Sequence, residues 1–276
     1  MASRTSLRSA AARLVHPARP APAPPREIAP PPCPPGWTTG PPDFVGVGSQ
    51  RCGTSWWFDM MSTHPGVARA PGSPKEAHFF DRLCESGATA TIASEYHRYF
   101  PRPAGRLVGE WTPRYLHDFW VAPLLAQTAP DARFLVLVRD PVERFWSGLA
   151  HERSKPVPPD PLFLYSDAFA RGLYHLQLER FLHSIDAARV LVLQYERCAA
   201  DPEQELRRTF DFLRLDPPEA LPAFARRVNE SPPGAGELPA RLRRDLAEAY
   251  ADDTRRLAHL VPAIDTGLWL NMKGLV

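Results

Sequence analysis

The stretch from Asp43 to Met61 constrains this chain more than any other: Asp-Phe-Val-Gly-Val-Gly-Ser-Gln-Arg-Cys-Gly-Thr-Ser-Trp-Trp-Phe-Asp-Met-Met. Phe44, Val45 and Val47 make a short apolar run of the kind that forms a buried parallel strand. Gly48 comes next, then four residues, then Gly53, Thr54 and Ser55. Trp56, Trp57, Phe58, Met60 and Met61 can then cover much of a helix surface. The order is strand, glycine-bounded loop, helix. Such a loop turns successive backbone N–H groups inward and aims a helix N-terminus at the same point. Both favour an anion, normally a phosphate.

The spacing matches the nucleotide-loop pattern G-x-x-x-x-G-K-[ST] except at one place, where Thr54 stands for Lys. Arg51 is the only cation in the loop. In an ATP-using loop the Lys sits on the β/γ-phosphates and the Ser/Thr on magnesium. Here the cation comes earlier, and no Asp-ended strand suited to magnesium follows. The pattern predicts a phosphate nucleotide handled without a metal. Taken alone, the two glycines also fit an ordinary strand-to-helix turn.

A chain of 276 residues suits one large α/β domain. Its net charge of +2 says little about partners, and no nucleic-acid partner is expected. Cys33, Cys52, Cys84 and Cys198 are scattered, with no paired metal spacing and no dense disulfide pattern. A reducing, cytoplasmic setting is the simpler reading. Cys52 reads as a small loop-filling residue, not a nucleophile. Residues 1–42 hold 12 of the 33 prolines, five arginines and a single acid, Glu27. That composition predicts a disordered Pro/Ala/Arg-rich leader over 1–40 and a folded domain over 41–276. Arg4, Arg8 and Arg13 resemble a transit peptide superficially. No apolar run of membrane length comes after them, so no span is expected.

Strand and helix signals alternate from Asp43 onwards. Val67-Ala68 and Leu107 to Glu110 read as short strands, and Leu116 to Ala129 as a helix interrupted by Pro123. Arg133 to Val138 is the clearest buried strand. Asp140 is then a good N-cap with Pro141 at the first helical position, so a helix begins there. A proline-rich loop spans Pro156 to Pro161, and Ser166 to Ser184 reads as one long helix. Val190 to Leu193 is the last strong strand, Asp201-Pro202 opens another helix, and Leu238 to Leu260 is a final amphipathic one. This alternation predicts a three-layer α/β/α, P-loop-like fold with a central, mainly parallel sheet. Ligands bind beyond the carboxyl ends of such strands, where Arg51, Glu76, Glu110 and Arg139 would collect.

Several separated segments together resemble the sulfotransferases that use 3′-phosphoadenosine 5′-phosphosulfate (PAPS), in particular bacterial members with the heparan-type pattern. Gly48-Ser-Gln-Arg-Cys-Gly-Thr-Ser-Trp56 resembles that family's 5′-phosphosulfate loop. Lys75-Glu-Ala-His-Phe-Phe-Asp81 resembles its K-E-x-H-F-F-D segment, and Glu110-Trp-Thr-Pro-Arg-Tyr115 its E-x-[TS]-P-x-Y segment. Arg139-Asp-Pro-Val-Glu-Arg-Phe-Trp-Ser147 resembles its 3′-phosphate motif, with Arg and Ser eight residues apart. Tyr195-Glu196 followed by Asp201-Pro202 also fits. The likeness runs from about Asp43 to the C-terminus.

The resemblance implies roles. Backbone groups over Arg51, Cys52, Gly53, Thr54, Ser55 and Trp56 would hold the 5′-phosphate of PAPS or of its product PAP. Arg51, Thr54 and Ser55 would offset charge on the leaving oxygen, and Arg139 and Ser147 would bind the 3′-phosphate. The family usually has Lys where Arg51 stands. Arg stays protonated, so Arg51 would stabilise charge and not donate a proton. From the residues alone, Lys75 and Glu76 read as a solvated pair and His78 as a core residue. The family position makes Glu76 the acceptor base, expected close to Arg51, with His78 as runner-up. Glu110 would orient the acceptor or hold a strand end. Lys75, Trp111 and Tyr174 would line the acceptor cleft or, equally, pack in the core or at its rim. The arginine pairs 207–208, 226–227, 243–244 and 255–256 read as solvated helix faces.

The implied reaction is metal-free, in-line sulfuryl transfer to a hydroxyl, or secondarily an amine, of a small molecule or glycan. Two other readings compete. A P-loop nucleotide kinase requires Lys after Gly53 and a magnesium aspartate. A nucleotide-binding protein without chemistry requires neither.

Overall fold

The computed structural model describes residues 28–276 except 86, 88, 157–159, 217 and 219–235. Its centre is a four-stranded parallel sheet in the order β4-β2-β5-β6. These strands are β2 (Phe44–Gly48), β4 (Gly109–Trp111), β5 (Arg133–Val138) and β6 (Val190–Gln194). Every residue of β2 is buried, as are all but the first of β5 and β6, which explains their unbroken apolar runs. A two-stranded antiparallel ribbon pairs β1 (Thr38–Thr39) with β3 (Pro101–Arg102).

Register shows the three layers. Val45 pairs with Phe134, so Phe44 and Phe134 point to opposite faces of the sheet. Phe44 meets Phe58 of α1 (Thr54–Met61), with ring centroids 6.4 Å apart. Phe134 meets Phe181 of α6 (Tyr174–Leu182), at 5.4 Å. Behind α1 lies α8 (Pro202–Phe212), joined to β6 through α7 (Tyr195–Ala200). On the other face α6 and α4 (Pro141–Arg153) pack on α9 (Ala240–Leu260), and α4 also on α5 (Pro161–Ala170). Two further helices, α2 (Ala90–His97) and α3 (Val121–Thr128), pack on each other. The three-layer α/β/α expectation therefore holds.

Helix starts obey their caps. The side chains of Asp140, Asp160 and Asp201 each accept first-turn N–H groups, and each precedes a proline. Several expectations need correction. Val67 makes only an isolated parallel bridge to Leu107, so no second strand forms there. The helix expected from Leu116 starts at Val121, and Pro123 sits in its first turn, where no intrahelical N–H is needed. The long helix expected over 166–184 is broken between Ala170 and Tyr174. Gly172 lies against Tyr250 so closely that a Cβ there would be 2.6 Å from its hydroxyl.

The domain boundary also moves. Ile28 packs against the core, the Tyr99 hydroxyl donates to its carbonyl, and β1 belongs to the folded body. Residues 1–27 of the expected leader lie outside the described residues, as does most of the 231–236 loop. Among the described residues, no helix is long and apolar enough to cross a membrane.

Candidate active site

The loops after β2, β4, β5 and β6 all emerge at the carboxyl edge of the sheet. After β2 the chain turns sharply: Arg51 has φ 68° and Gly53 φ 87°. Gly53 is required twice over, for its left-handed backbone and because a Cβ there would lie 2.8 Å from the Tyr195 ring. Helix α1 begins directly after it, and its first hydrogen bond runs from Trp57 N–H to the Gly53 carbonyl. The N–H groups of Thr54, Ser55 and Trp56 precede that bond and point out of the helix start. Cys52 differs from expectation. Its N–H donates to the Ser49 carbonyl at 3.3 Å, closing the loop on itself. Its thiol is buried beside the Tyr174 hydroxyl, and burial pushes its pKa up to about 11. Such a thiol is no nucleophile at neutral pH.

Three arginines gather around this loop. Arg51 Nε donates to Ser147 Oγ at 3.2 Å, tying the loop to α4. Arg144, buried within α4, donates through Nε to the Gln50 carbonyl at 3.1 Å and through Nη1 to the Ala168 carbonyl. The Arg139 guanidinium lies 5.1 Å from the centre of the Tyr195 ring, whose edge meets Trp56. Burial, then the charges of Arg139 and Arg144, lower the Arg51 pKa. None of the three makes an ion pair with a carboxylate among the described residues. Uncompensated positive charge beside free N–H groups is what an anionic ligand needs.

A second cluster lies along Lys75 to Asp81. Lys75 Nζ donates to Thr54 Oγ1 at 3.2 Å and to Glu76 Oε1 at 2.8 Å. The cation beside Glu76 is thus Lys75, in place of the Arg51 expected from sequence. The Arg51 side chain runs to α4 instead. His78 bridges two carboxylates: Nε2 is 3.0 Å from Glu76 Oε2, and Nδ1 is 2.9 Å from Asp81 Oδ2. An imidazolium donating from both nitrogens satisfies both bonds. Those bonds, to Asp81 first and then to Glu76, raise the His78 pKa to about 10 despite burial. Burial by itself would raise the Glu76 carboxyl. The hydrogen bond from His78 and the charge of Lys75 outweigh it and hold that group below its ordinary range. Glu76 is therefore ionised and His78 protonated at neutral pH.

This segment has no helix or strand of its own before Phe79, yet its backbone is fixed. The Ala77 N–H donates to Glu110 Oε2 at 2.8 Å, that of His78 to Thr112 Oγ1 at 3.3 Å, and that of Phe79 to the Tyr115 hydroxyl at 2.9 Å. Three consecutive donors thus meet three side chains of the Glu110 to Tyr115 motif. Glu110 is buried and also accepts from the Tyr96 hydroxyl at 2.7 Å and from Thr112, so it holds the frame and does not reach an acceptor. Trp111 and Tyr174 take the packing alternative. Both are fully buried: Trp111 donates to the Gly48 carbonyl at 3.0 Å, and Tyr174 packs beneath Cys52.

Residues 75–219 match the Sulfotransferase family. The chain belongs to the sulfotransferase family. Heparan sulfate glucosamine 3-O-sulfotransferase 6 of Homo sapiens is 33% identical over 187 residues, covering 63% of this chain and 52% of that protein. Heparan sulfate glucosamine 3-O-sulfotransferase 3B1 of Mus musculus is 30% identical over 188 residues, covering 63% of this chain and 46% of that protein. The chain thus spans about half the length of the curated relatives it matches. The crystal structure of a sulfotransferase from Alicyclobacillus acidocaldarius aligns with a TM-score of 0.65 at 25% identity, over 82% of this chain and 98% of that one. Membership of the sulfotransferase family sets aside the nucleotide-kinase reading.

Sequence reasoning missed two site residues and the role of a third. Asp81 lies at i+3 from His78 within the Lys75 to Asp81 segment, a spacing that could have flagged it. Arg144 sits inside the Arg139–Ser147 motif, where it reads as one more helix cation. Lys75 reads from sequence as half of a solvated pair or as a cleft residue, because its reach to Thr54 spans 21 residues and has no local signature.

Proposed function

We propose that this chain transfers the sulfuryl group of PAPS to a hydroxyl of a small molecule or glycan, releasing PAP, with an amine as the lesser alternative. One observation carries the reading. Lys75 hydrogen-bonds both to Thr54 at the start of α1 and to Glu76, so a phosphate-type loop and an ionised carboxylate share one cation.

The donor set suits a nucleotide carrying two phosphates. Three arginines without carboxylate ion pairs among the described residues converge on the loop, and Trp56 Nε1 is buried with no partner among them. The N–H groups of Thr54, Ser55 and Trp56 would hold the 5′-phosphate. Arg139, Arg51 and Ser147 would hold the 3′-phosphate, since Arg51 and Ser147 are already joined. PAPS supplies the activated sulfuryl group. Lys75, with Thr54 and Ser55, stabilises the negative charge that grows on the leaving phosphate oxygen, the part that sequence suggests for Arg51. Glu76 takes the acceptor proton as the acceptor oxygen bonds to sulfur. His78 holds the Glu76 carboxylate in place and is itself held by Asp81. A carboxylate with a lowered pKa is a weak base, which suits a loose transition state resembling that of phosphoryl transfer.

The test is acceptor-dependent release of PAP from PAPS by the purified chain, alongside calorimetric titration with PAP. Tight PAP binding with no transfer to any hydroxyl or amine would make the chain a nucleotide-binding protein.

A further inference from the structure

Residues 265–272 lie outside the matched stretch of 75–219, yet they close on the peptide that carries Arg139. They are pinned first to the end of β6. There the side-chain amide of Gln194 donates to the Asp265 carbonyl and accepts the Asp265 N–H, both at 2.9 Å. Trp269, fully buried, then donates from its indole to Glu196 Oε2 at 2.9 Å. The other oxygen, Glu196 Oε1, accepts the Asp140 N–H at 2.9 Å. That N–H belongs to the planar peptide joining Arg139 to Asp140, so the backbone of Arg139 is held. Asp140 divides its own oxygens. Oδ1 caps α4, accepting from the Val142 and Glu143 N–H groups, and a helix cap needs no more. Oδ2 accepts twice from Asn271, from its backbone N–H at 3.1 Å and from its Nδ2 at 2.9 Å. The Asn271 amide is oriented in turn by Arg243, which donates to its Oδ1 at 2.7 Å, and by Glu143 Oε1, 3.1 Å from its Nδ2.

The Arg139 guanidinium rests on the Tyr195 ring and makes no hydrogen bond of its own among the described residues. Such an arginine is aimed by its backbone and by the ring beneath it. We infer that residues 265–272 form a strut that aims Arg139 at the 3′-phosphate of the nucleotide, with Asn271 and Glu196 as its positioning residues. The inference rests on the assignment of Arg139 to that phosphate in the sulfuryl-transfer reading and adds how the residue is held. Asn271 and Glu196 act through the Arg139–Asp140 peptide and the start of α4, not by contact with the nucleotide.

The test uses the full chain, with PAP and adenosine 5′-monophosphate as probes in calorimetric titration. Asn271 is only partly buried, so Asn271→Ala breaks the strut and leaves the core packed. PAP affinity should fall at least about tenfold, the scale of losing hydrogen bonds to a charged group. Affinity for adenosine 5′-monophosphate, which makes no use of Arg139, should hold. In an Arg139→Ala background the same substitution should change PAP affinity by less than about twofold, because residues acting through one contact are not additive. Glu196→Gln turns one acceptor oxygen into an amide donor facing an N–H, and should give the same pattern from the other arm of the strut. Either variant alone decides the question. Equal losses for both nucleotides, or an undiminished effect in the Arg139→Ala background, would mean general loosening and overturn the inference. Unchanged PAP affinity in a folded variant overturns it too, while leaving sulfuryl transfer intact. Failure of the wild-type chain to bind PAP overturns the transfer reading, and the strut's role with it.

Discussion

The Lys75 ammonium donates to the Thr54 hydroxyl at 3.2 Å, across 21 residues of sequence. Thr54 is the residue that stands where an ATP-using loop has its lysine. The cation absent from that position is thus brought to its hydroxyl from the segment that carries the carboxylate. Its loss should be felt in catalysis more than in nucleotide binding. Lys75→Met should lower kcat by about 10²–10³-fold, the scale for removing one preorganised charge-stabilising donor. PAP affinity should change by less than a few-fold. It should also raise the Glu76 pKa, moving the acid limb of the kcat/KM profile to higher pH. A profile whose acid limb stays in place would show that Lys75 is not the cation that depresses Glu76.

Glu76→Gln keeps shape but removes basicity. The expected fall in kcat is about 10²–10⁴-fold, with little change in PAP affinity. His78 is protonated at neutral pH, so it cannot accept a proton there, and His78→Gln should cost less in kcat than Glu76→Gln. The base assignment passes to His78 if Glu76→Gln turns over normally while folded His78→Gln is inactive.

The same bridge makes stability depend on pH. The folded-state pKa of His78 is raised from its ordinary 6.5 to about 10. Its contribution is therefore fully present below about pH 6.5 and is lost as pH rises through about 10. Glu76 is shifted the other way, so its contribution is present above the ordinary carboxylate range and is lost in acid, as pH falls through its lowered value. The melting-temperature difference between wild type and His78→Gln should shrink steadily from about pH 7 to about pH 10.5. A difference that does not vary over that range would refute an imidazolium at this position.

Tyr115→Phe removes the oxygen that receives the Phe79 N–H. An unsatisfied donor costs about 1–3 kcal/mol, read as a lowered melting temperature. Because the lost bond also fixes the Glu76–His78 segment, kcat should fall while PAP affinity holds. A stability loss with unchanged kcat would confine Tyr115 to a packing role.

Arg139→Ala should weaken PAP binding by roughly 2–4 kcal/mol, the scale for losing a charged partner. Adenosine 5′-monophosphate, which lacks the 3′-phosphate, should bind almost as well to the variant as to wild type. Calorimetry with both nucleotides decides this, since equal losses would mean that Arg139 supports the loop through Tyr195 and does not read the 3′-phosphate.

The parts of the fold that sequence revealed are those governed by neighbours in the chain. Arg133 to Val138 is apolar throughout, and Asp140-Pro141 caps the helix after it, so strand, turn and helix were all legible. The break between α5 and α6 was not, because it depends on Tyr250, which lies 81 residues beyond the Phe169 carbonyl it reaches. The site divides in the same way. Arg51, Thr54, Glu76, His78, Arg139 and Ser147 were visible as motif positions. The joins between them were not: Arg51 to Ser147 spans 96 residues and Ala77 to Glu110 spans 33. Glu110 looked like a candidate for chemistry because sequence cannot tell a buried carboxylate that holds backbone from an exposed one that meets a ligand.

The three side chains that receive the Ala77, His78 and Phe79 N–H groups all come from the end of β4 and the loop after it, whereas much of the wall of a cavity of about 760 Å³ beside His78 comes from α2 and the turn before it. Tyr96 ties the two together, since it lies on α2 and donates to Glu110 at 2.7 Å. Ile92 and Glu95, on the same helix, take no part in the bonds that fix the Ala77 to Phe79 backbone. That cavity can be resurfaced from one short helix only at positions that leave Tyr96 in place.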